Sequence, residues 1–190
     1  MIKMSNLLLI GAIARNTGKT ELACRIIKKL HQYKIIAIKV TTINEKSNGC
    51  PSGRNCGVCA SLNENYTITE EKDSSCNKDT GKLLLAGAYK VFWLKSVKQH
   101  LEQGVRELLE LVEKDTLLIC ESNSIRNIIE PGLFIITKSR QEKKIKPSCW
   151  EVRQYADFNL TFSDFDQLLK NLDFRSNPDN SLTWYIKDQS

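Results

Sequence analysis

Gly18-Lys19-Thr20 is the segment of this 190-residue chain with the clearest chemistry. Glycine, lysine and threonine opening a helix suit a polyphosphate. Backbone N–H groups at a helix N-terminus point at the anion, and the helix dipole adds to them. Lys19 can reach β- and γ-phosphates, and the Thr20 hydroxyl can coordinate Mg²⁺. Gly18 lets the backbone approach closely. Arg15, Asn16 and Thr17 complete the candidate phosphate-binding loop. The flanks agree with it. Leu7 to Ile13 reads as a buried parallel strand. Leu22, Ala23, Ile26, Ile27 and Leu30 then recur at helical spacing. The usual phosphate-loop pattern has a glycine five residues before Gly18, where this chain has Ile13; its nearest earlier glycine is Gly11. The competing readings are an ordinary helix start and, for the apolar run with Lys3 before it, a signal peptide cleaved near Ala12-Ile13-Ala14.

Two further charged residues stand at strand tips. Lys39 ends the apolar run Ile35 to Val40, and Glu121 follows Leu117 to Cys120. An acid at the tip of a buried strand beside a phosphate loop balances a divalent cation. Glu121 is therefore a candidate Mg²⁺ ligand with Thr20, the alternative being a helix cap. Lys39 is either an anion contact or a solvated strand-end lysine. Asp79 precedes the apolar stretch Leu83-Leu84-Leu85 and is a candidate helix cap, Mg²⁺ ligand or orienter of water. A fifth strand, Leu133 to Thr137, leads into Lys138-Ser139-Arg140, where guanine-reading proteins often carry Asn-Lys-x-Asp. Arg140 replaces that aspartate, which leaves the choice of GTP or ATP open. The basic run to Lys146 either covers an anionic substrate or is a solvated loop.

Cys50, Cys56, Cys59 and Cys76 form a C-x5-C-x2-C-x16-C pattern in a polar stretch, residues 44–78. Four thiolates on turns can wrap one tetrahedral zinc or one [4Fe-4S] cluster. Free thiols, or disulfides if the chain is exported, are the other reading. Cys24, Cys120 and Cys149 fall at helix, strand and isolated positions and read as structural.

These residues need a scaffold. Strands at 7–13, 35–40, 91–94, 117–120 and 133–137 alternate with helices, the longest over 97–114, with another starting near Ser163 and carrying Phe165, Leu168, Leu169 and Leu172 inward. Leu182 to Ile186 is expected as a last strand closing the chain. The pattern predicts an α/β fold: a mostly parallel sheet flanked by helices, one P-loop NTPase domain over residues 1–190 with the cysteine-rich insertion at 44–78. Hydrophobic residues make up 41% of the chain, enough for a core. The net charge of +6 is too mild to indicate nucleic-acid binding, and no apolar run is long enough for a membrane span.

The segments Glu70-Glu71-Lys72-Asp73, Lys78-Asp79-Thr80-Gly81-Lys82 and Ala86-Gly87-Ala88 resemble molybdopterin-guanine dinucleotide biosynthesis protein B. That family is related to dethiobiotin synthetases and nickel-enzyme maturation GTPases. The order Gly18-Lys19-Thr20, Lys39, Lys78-Asp79-Thr80, Glu121 is also similar to it. The chain differs at Ile13, at Thr41-Thr42, after Glu121 and in its cysteine stretch. The resemblance implies a cytoplasmic nucleoside-triphosphate-binding protein that uses Mg²⁺ and hydrolyses GTP or ATP in molybdenum cofactor biosynthesis. It also implies a partner protein of that pathway and a homodimer. Lys19, Asp79 and Glu121 would be catalytic. Two other expectations stand beside it. One is a metal or iron–sulfur maturation factor with a nucleotide switch; the other is a small-molecule kinase or ligase.

Overall fold

The first strand, β1 (Ile2–Ala12), alternates its apolar side chains between two cores. Leu8 and Ile10 enter the core under α1 (Lys19–Lys29), while Leu7 and Leu9 enter the opposite one. A strand buried on both faces must be apolar throughout, which explains the unbroken run. The structure is a computed structural model and describes residues 1–43, 62, 64–75, 77–140 and 144–187. The four clustered cysteines and most of the 44–78 stretch lie outside them.

Seven strands form the main sheet. After α1 come β2 (Ile35–Ile43), β3 (Tyr66–Glu70), α2 (Asp79–Leu85) and β4 (Lys90–Val97). Then follow α3 (Leu101–Glu110), β5 (Leu117–Glu121), β6 (Ile129–Thr137), the one-turn α4 (Pro147–Trp150) and β7 (Phe158–Leu160). The strand order is β3-β4-β2-β5-β1-β6-β7. Every neighbouring pair is parallel except β3 with β4. The α/β class and the mostly parallel sheet flanked by helices are therefore present. β3 falls inside the 44–78 stretch and adds the antiparallel edge, so part of that stretch belongs to the sheet.

Several element limits differ from the sequence reading. Val97 ends β4 instead of starting a helix; a 3-10 turn over residues 98–100 intervenes and α3 ends at Glu110. Val97 still has apolar neighbours, Ile43 and Leu62, so its burial looked helical in a spacing count. The helix expected from Ser163 is a 3-10 turn followed by α5 (Phe165–Asn171), and Leu172 opens β8 (Leu172–Ser176). β9 (Leu182–Ile186) does not join the main sheet. It pairs antiparallel with β8 as a separate hairpin. That hairpin packs on the start of β1, where buried Trp184 donates its ring N–H to the Asn6 carbonyl at 2.8 Å and Ser5 Oγ donates to the Leu182 carbonyl at 2.7 Å. Apolar residues of the hairpin cover the same core as α1 and α5.

Candidate functional site

Register brings one row of residues together near the carboxyl ends of the central strands; Glu121 ends β5, but β2 runs on to Ile43, so Lys39 lies inside its strand and not at the tip expected from the sequence. Lys39 of β2 lies opposite Glu121 of β5, and Glu121 lies opposite Ile10 of β1. The flanking residues Ala37 and Ile119 enter the core under α1, so Lys39 and Glu121 project toward the α1 side of the sheet. Ligands of open parallel sheets sit beyond these strand ends.

The β1–α1 loop is pinned above the row from three sides. Asn123, just past β5, accepts from the Ala12 N–H at 2.7 Å and donates to the Ala12 carbonyl at 2.9 Å. Gly11 makes room for it, since a Cβ there would stand 2.6 Å from Asn123 Oδ1. Thr137, at the end of β6, shares a 2.7 Å hydrogen bond with Thr17 and donates to the Gly11 carbonyl at 3.2 Å. Lys146 donates its backbone N–H to the Ile13 carbonyl at 2.9 Å, and the Ile13 N–H donates to Thr137. The glycine missing at position 13 thus has an explanation: Ile13 carries two strand-like hydrogen bonds and packs on the core opposite α1. The sequence reading missed Asn123 and Thr137. An asparagine immediately after an acidic strand tip was the available signal.

At the end of the loop, Asn16 (φ 58°) and Gly18 (φ 90°) are left-handed. Gly18 is also the N-cap of α1, with no side chain to cap it. The first N–H groups of α1 therefore have no intrahelical partner and no side-chain cap. Left-handed residues before a helix are the backbone pattern of anion-binding concavities. Residues 15–21 line one cavity of about 420 Å³ together with Asp79 and Lys146. A second cavity of about 700 Å³ shares Arg15, Lys19, Asp79 and Lys146 and reaches Lys39 and Glu121.

The charged residues meet here. Thr20 Oγ1 donates to Glu121 Oε2 at 3.1 Å. Glu121 is only 3% exposed, and its other oxygen, Oε1, is buried without a hydrogen-bond partner. Burial pushes the Glu121 carboxyl above the usual range; Lys39, Lys19 and the Thr20 hydrogen bond pull partly back, and Asp79 adds to the rise. Lys39 is ion-paired with Asp79 and stands 5.7 Å from the Trp93 ring. Burial works against the charge of Asp79, but the hydrogen bond and charge of Lys39, with Lys82 and Lys19, hold its carboxyl below the usual range.

Of the candidate residues, Lys19, Thr20, Lys39, Asp79 and Glu121 come together, with Arg15, Asn16, Thr17 and Gly18 on the adjoining loop. Asp79 is not the cap of α2. Lys78 holds that position, and Asp79 is the first helical residue, with its carboxylate turned to Lys39. Glu121 ends its strand and caps no helix; the 3-10 turn that follows has Asn123 at its cap. Lys39 is an ion-paired residue of the site, not a solvated strand end. Cys50, Cys56, Cys59 and Cys76 lie outside the described residues, so their zinc or cluster role has no structural counterpart here. Cys24, Cys120 and Cys149 are buried and form no disulfide. Among the described residues no group of three or more His, Cys, Asp or Glu side chains could hold a metal. Mg²⁺ at a polyphosphate is held by one or two protein oxygens plus the phosphates and water, and Thr20 with Glu121 meets that demand. Among the described residues no helix is long and apolar enough to cross a membrane. No protein-family profile, curated protein or solved structure gives a significant match to this chain.

Proposed function

We propose that this chain binds a nucleoside triphosphate with Mg²⁺ at the β1–α1 loop and hydrolyses its terminal phosphoanhydride. The observation that carries this reading is the buried Glu121 carboxylate, with Oε1 unpartnered, 3.1 Å from Thr20 at the end of an uncapped loop–helix turn. A buried carboxylate with a free oxygen is costly unless a cation completes it. The loop N–H groups and Lys19 would neutralise the phosphates. Thr20 and Glu121 would hold Mg²⁺, which when bound supplies charge neutralisation at the β- and γ-oxygens. Asp79 holds Lys39 in the row beside Glu121, where Lys39 would stabilise charge on the terminal phosphate. In the reaction water attacks the γ-phosphorus and the bond to the bridging oxygen breaks. Nucleoside diphosphate and inorganic phosphate leave.

The resemblance through Lys78-Asp79-Thr80 supports extending this reading to molybdenum cofactor assembly, as the hydrolytic component of that pathway. Calorimetric titration of ATP and GTP with Mg²⁺ tests the core claim. Lys19→Ala should weaken both by about 10–100-fold, the size of a lost charge-assisted contact, with an unchanged circular dichroism spectrum. Unchanged affinity for both nucleotides would falsify the assignment of the loop.

A further inference from the structure

Asp79 holds Lys39 from the first residue of α2, a helix of 7 residues whose N-cap, Lys78, supplies no side-chain hydrogen bond. A helix this short is marginal by itself, and an uncapped first turn frays. The segment between β3 and α2 holds the turn instead. Thr80, the second helical residue and 1% exposed, donates its hydroxyl to Glu71 Oε2 at 2.7 Å. Glu71 Oε1 accepts the N–H groups of Lys72 and Asp73 at 3.2 and 3.1 Å, so the chain winds round this carboxylate. The Glu71 N–H donates to the Val91 carbonyl of β4 at 2.8 Å. β4 lies beside β2, with Trp93 opposite Lys39. Glu71 therefore ties the first turn of α2 to the strand that neighbours Lys39. Further along, Leu83 anchors α2 in the α1 core, which fixes the body of the helix and leaves its first turn to Glu71.

We propose that Glu71 is a positioning residue for the reaction: through Thr80 it fixes the first turn of α2, so that Asp79 presents Lys39 to the terminal phosphate. The inference rests on the hydrolysis reading above and deepens it. Asp79 and Thr80 are adjacent, so loss of the Thr80 bond lets the first turn unwind and carries the Asp79 carboxylate with it. Lys39 then loses its fixed place in the row. A charge aids a reaction most when it is already in position and need not reorganise as the barrier is crossed. The phosphate loop, Lys19, Thr20 and Glu121 lie on other elements, so nucleotide affinity is retained while turnover falls. A purely structural contact would lower stability and leave turnover per folded molecule unchanged.

The test measures inorganic phosphate release from ATP and from GTP, each with Mg²⁺, by the wild-type chain, Thr80→Val, Thr80→Ser, Asp79→Asn and the double variant Thr80→Val with Asp79→Asn. Thr80→Val keeps the side-chain shape and removes the donor. It should lower kcat about tenfold, the size of one lost charge-assisted hydrogen bond, with KM within about twofold of wild type. Thr80→Ser keeps the hydroxyl and should restore most of the rate. The double variant should be no slower than Asp79→Asn alone, because both changes act on one ion pair. Glu71→Gln approaches the same bond from its half-buried side, since an amide cannot accept from the hydroxyl and from both N–H groups at once. It should show the same non-additivity with Asp79→Asn. Wild-type turnover in Thr80→Val, or rate losses that multiply in the double variant, overturns the proposal and leaves the hydrolysis reading standing. If the wild-type chain binds nucleotide but releases no phosphate, the hydrolysis reading falls and the proposal falls with it.

Discussion

Glu121 concentrates the energetics of the site. Its carboxyl is raised by burial, so protonation favours the folded, ligand-free chain. An acid whose folded pKa lies above its unfolded value contributes stability at pH below the unfolded value, and that stability is lost as pH rises through the folded one. Glu121→Gln should therefore raise the melting temperature of the ligand-free protein at neutral pH, by about 2–4 °C for each ~1 kcal/mol relieved. The gain should shrink as pH falls through the raised pKa of folded Glu121 and be gone below the ordinary carboxylate range, and equal melting temperatures at neutral pH would count against a strained Glu121. The same variant should lose the stabilisation that Mg²⁺ with nucleotide provides. Asn123 acts on the backbone instead. Asn123→Ala removes both contacts to Ala12 and leaves a buried N–H unpaired, a cost of about 1–3 kcal/mol. Denaturant unfolding would show it as a lower midpoint with an unchanged slope.

At the scale of elements, the C-terminal hairpin is a second layer of support under the site. It covers the α1 core, and Trp184, 2% exposed, fastens it to β1. Trp184→Ala should destabilise the fold by about 3–5 kcal/mol through the cavity and the lost ring N–H bond. Chemical denaturation measures this directly; a change under ~1 kcal/mol would mean the hairpin is an appendage. The α2 start matters differently. Asp79 does not cap its helix, so Asp79→Asn should cost little stability, while releasing Lys39 from its ion pair should lower phosphate release from bound nucleotide. An assay of inorganic phosphate release under saturating nucleotide separates the two effects.

At the scale of the whole molecule, the sheet divides the chain into two cores, and the row Lys39, Glu121, Ile10 runs across its centre. Loops from both halves converge on the carboxyl end of β1. The cysteine pattern at 50–76 belongs to this scale as well. Were Cys50, Cys56, Cys59 and Cys76 ligands of one centre, as their spacing suggests, Cys56→Ser with Cys59→Ser would remove its metal, and unchanged metal content would count against that centre. Elemental analysis and a visible spectrum of anaerobically purified protein check it. About one zinc without colour marks a structural site, whereas iron with sulfide and a brown band marks a cluster.

Much of the architecture was legible in the sequence, because burial on both faces writes unbroken apolar runs and packed helices write a 3.6-residue repeat. The strand through Leu7, the α1 stripe and the strand tip at Glu121 followed from that patterning, whereas Lys39 lies inside its strand, because β2 runs on to Ile43 beside β4. What patterning could not carry was anything set by partners distant in sequence. Val97 has apolar neighbours whether it ends a strand or starts a helix; the contact with Ile43 and Leu62 decides. β9 has a strand's composition, but its pairing with β8 depends on the turn between them and on Trp184 reaching Asn6. Asp79 suits a cap by residue type, and only the folded chain brings Lys39, forty residues earlier, within reach of its carboxylate. Residue types and local spacing thus determined which groups this protein has for chemistry. The tertiary structure decided which of them meet, because register and packing place charges from separate strands side by side in one poorly solvated row.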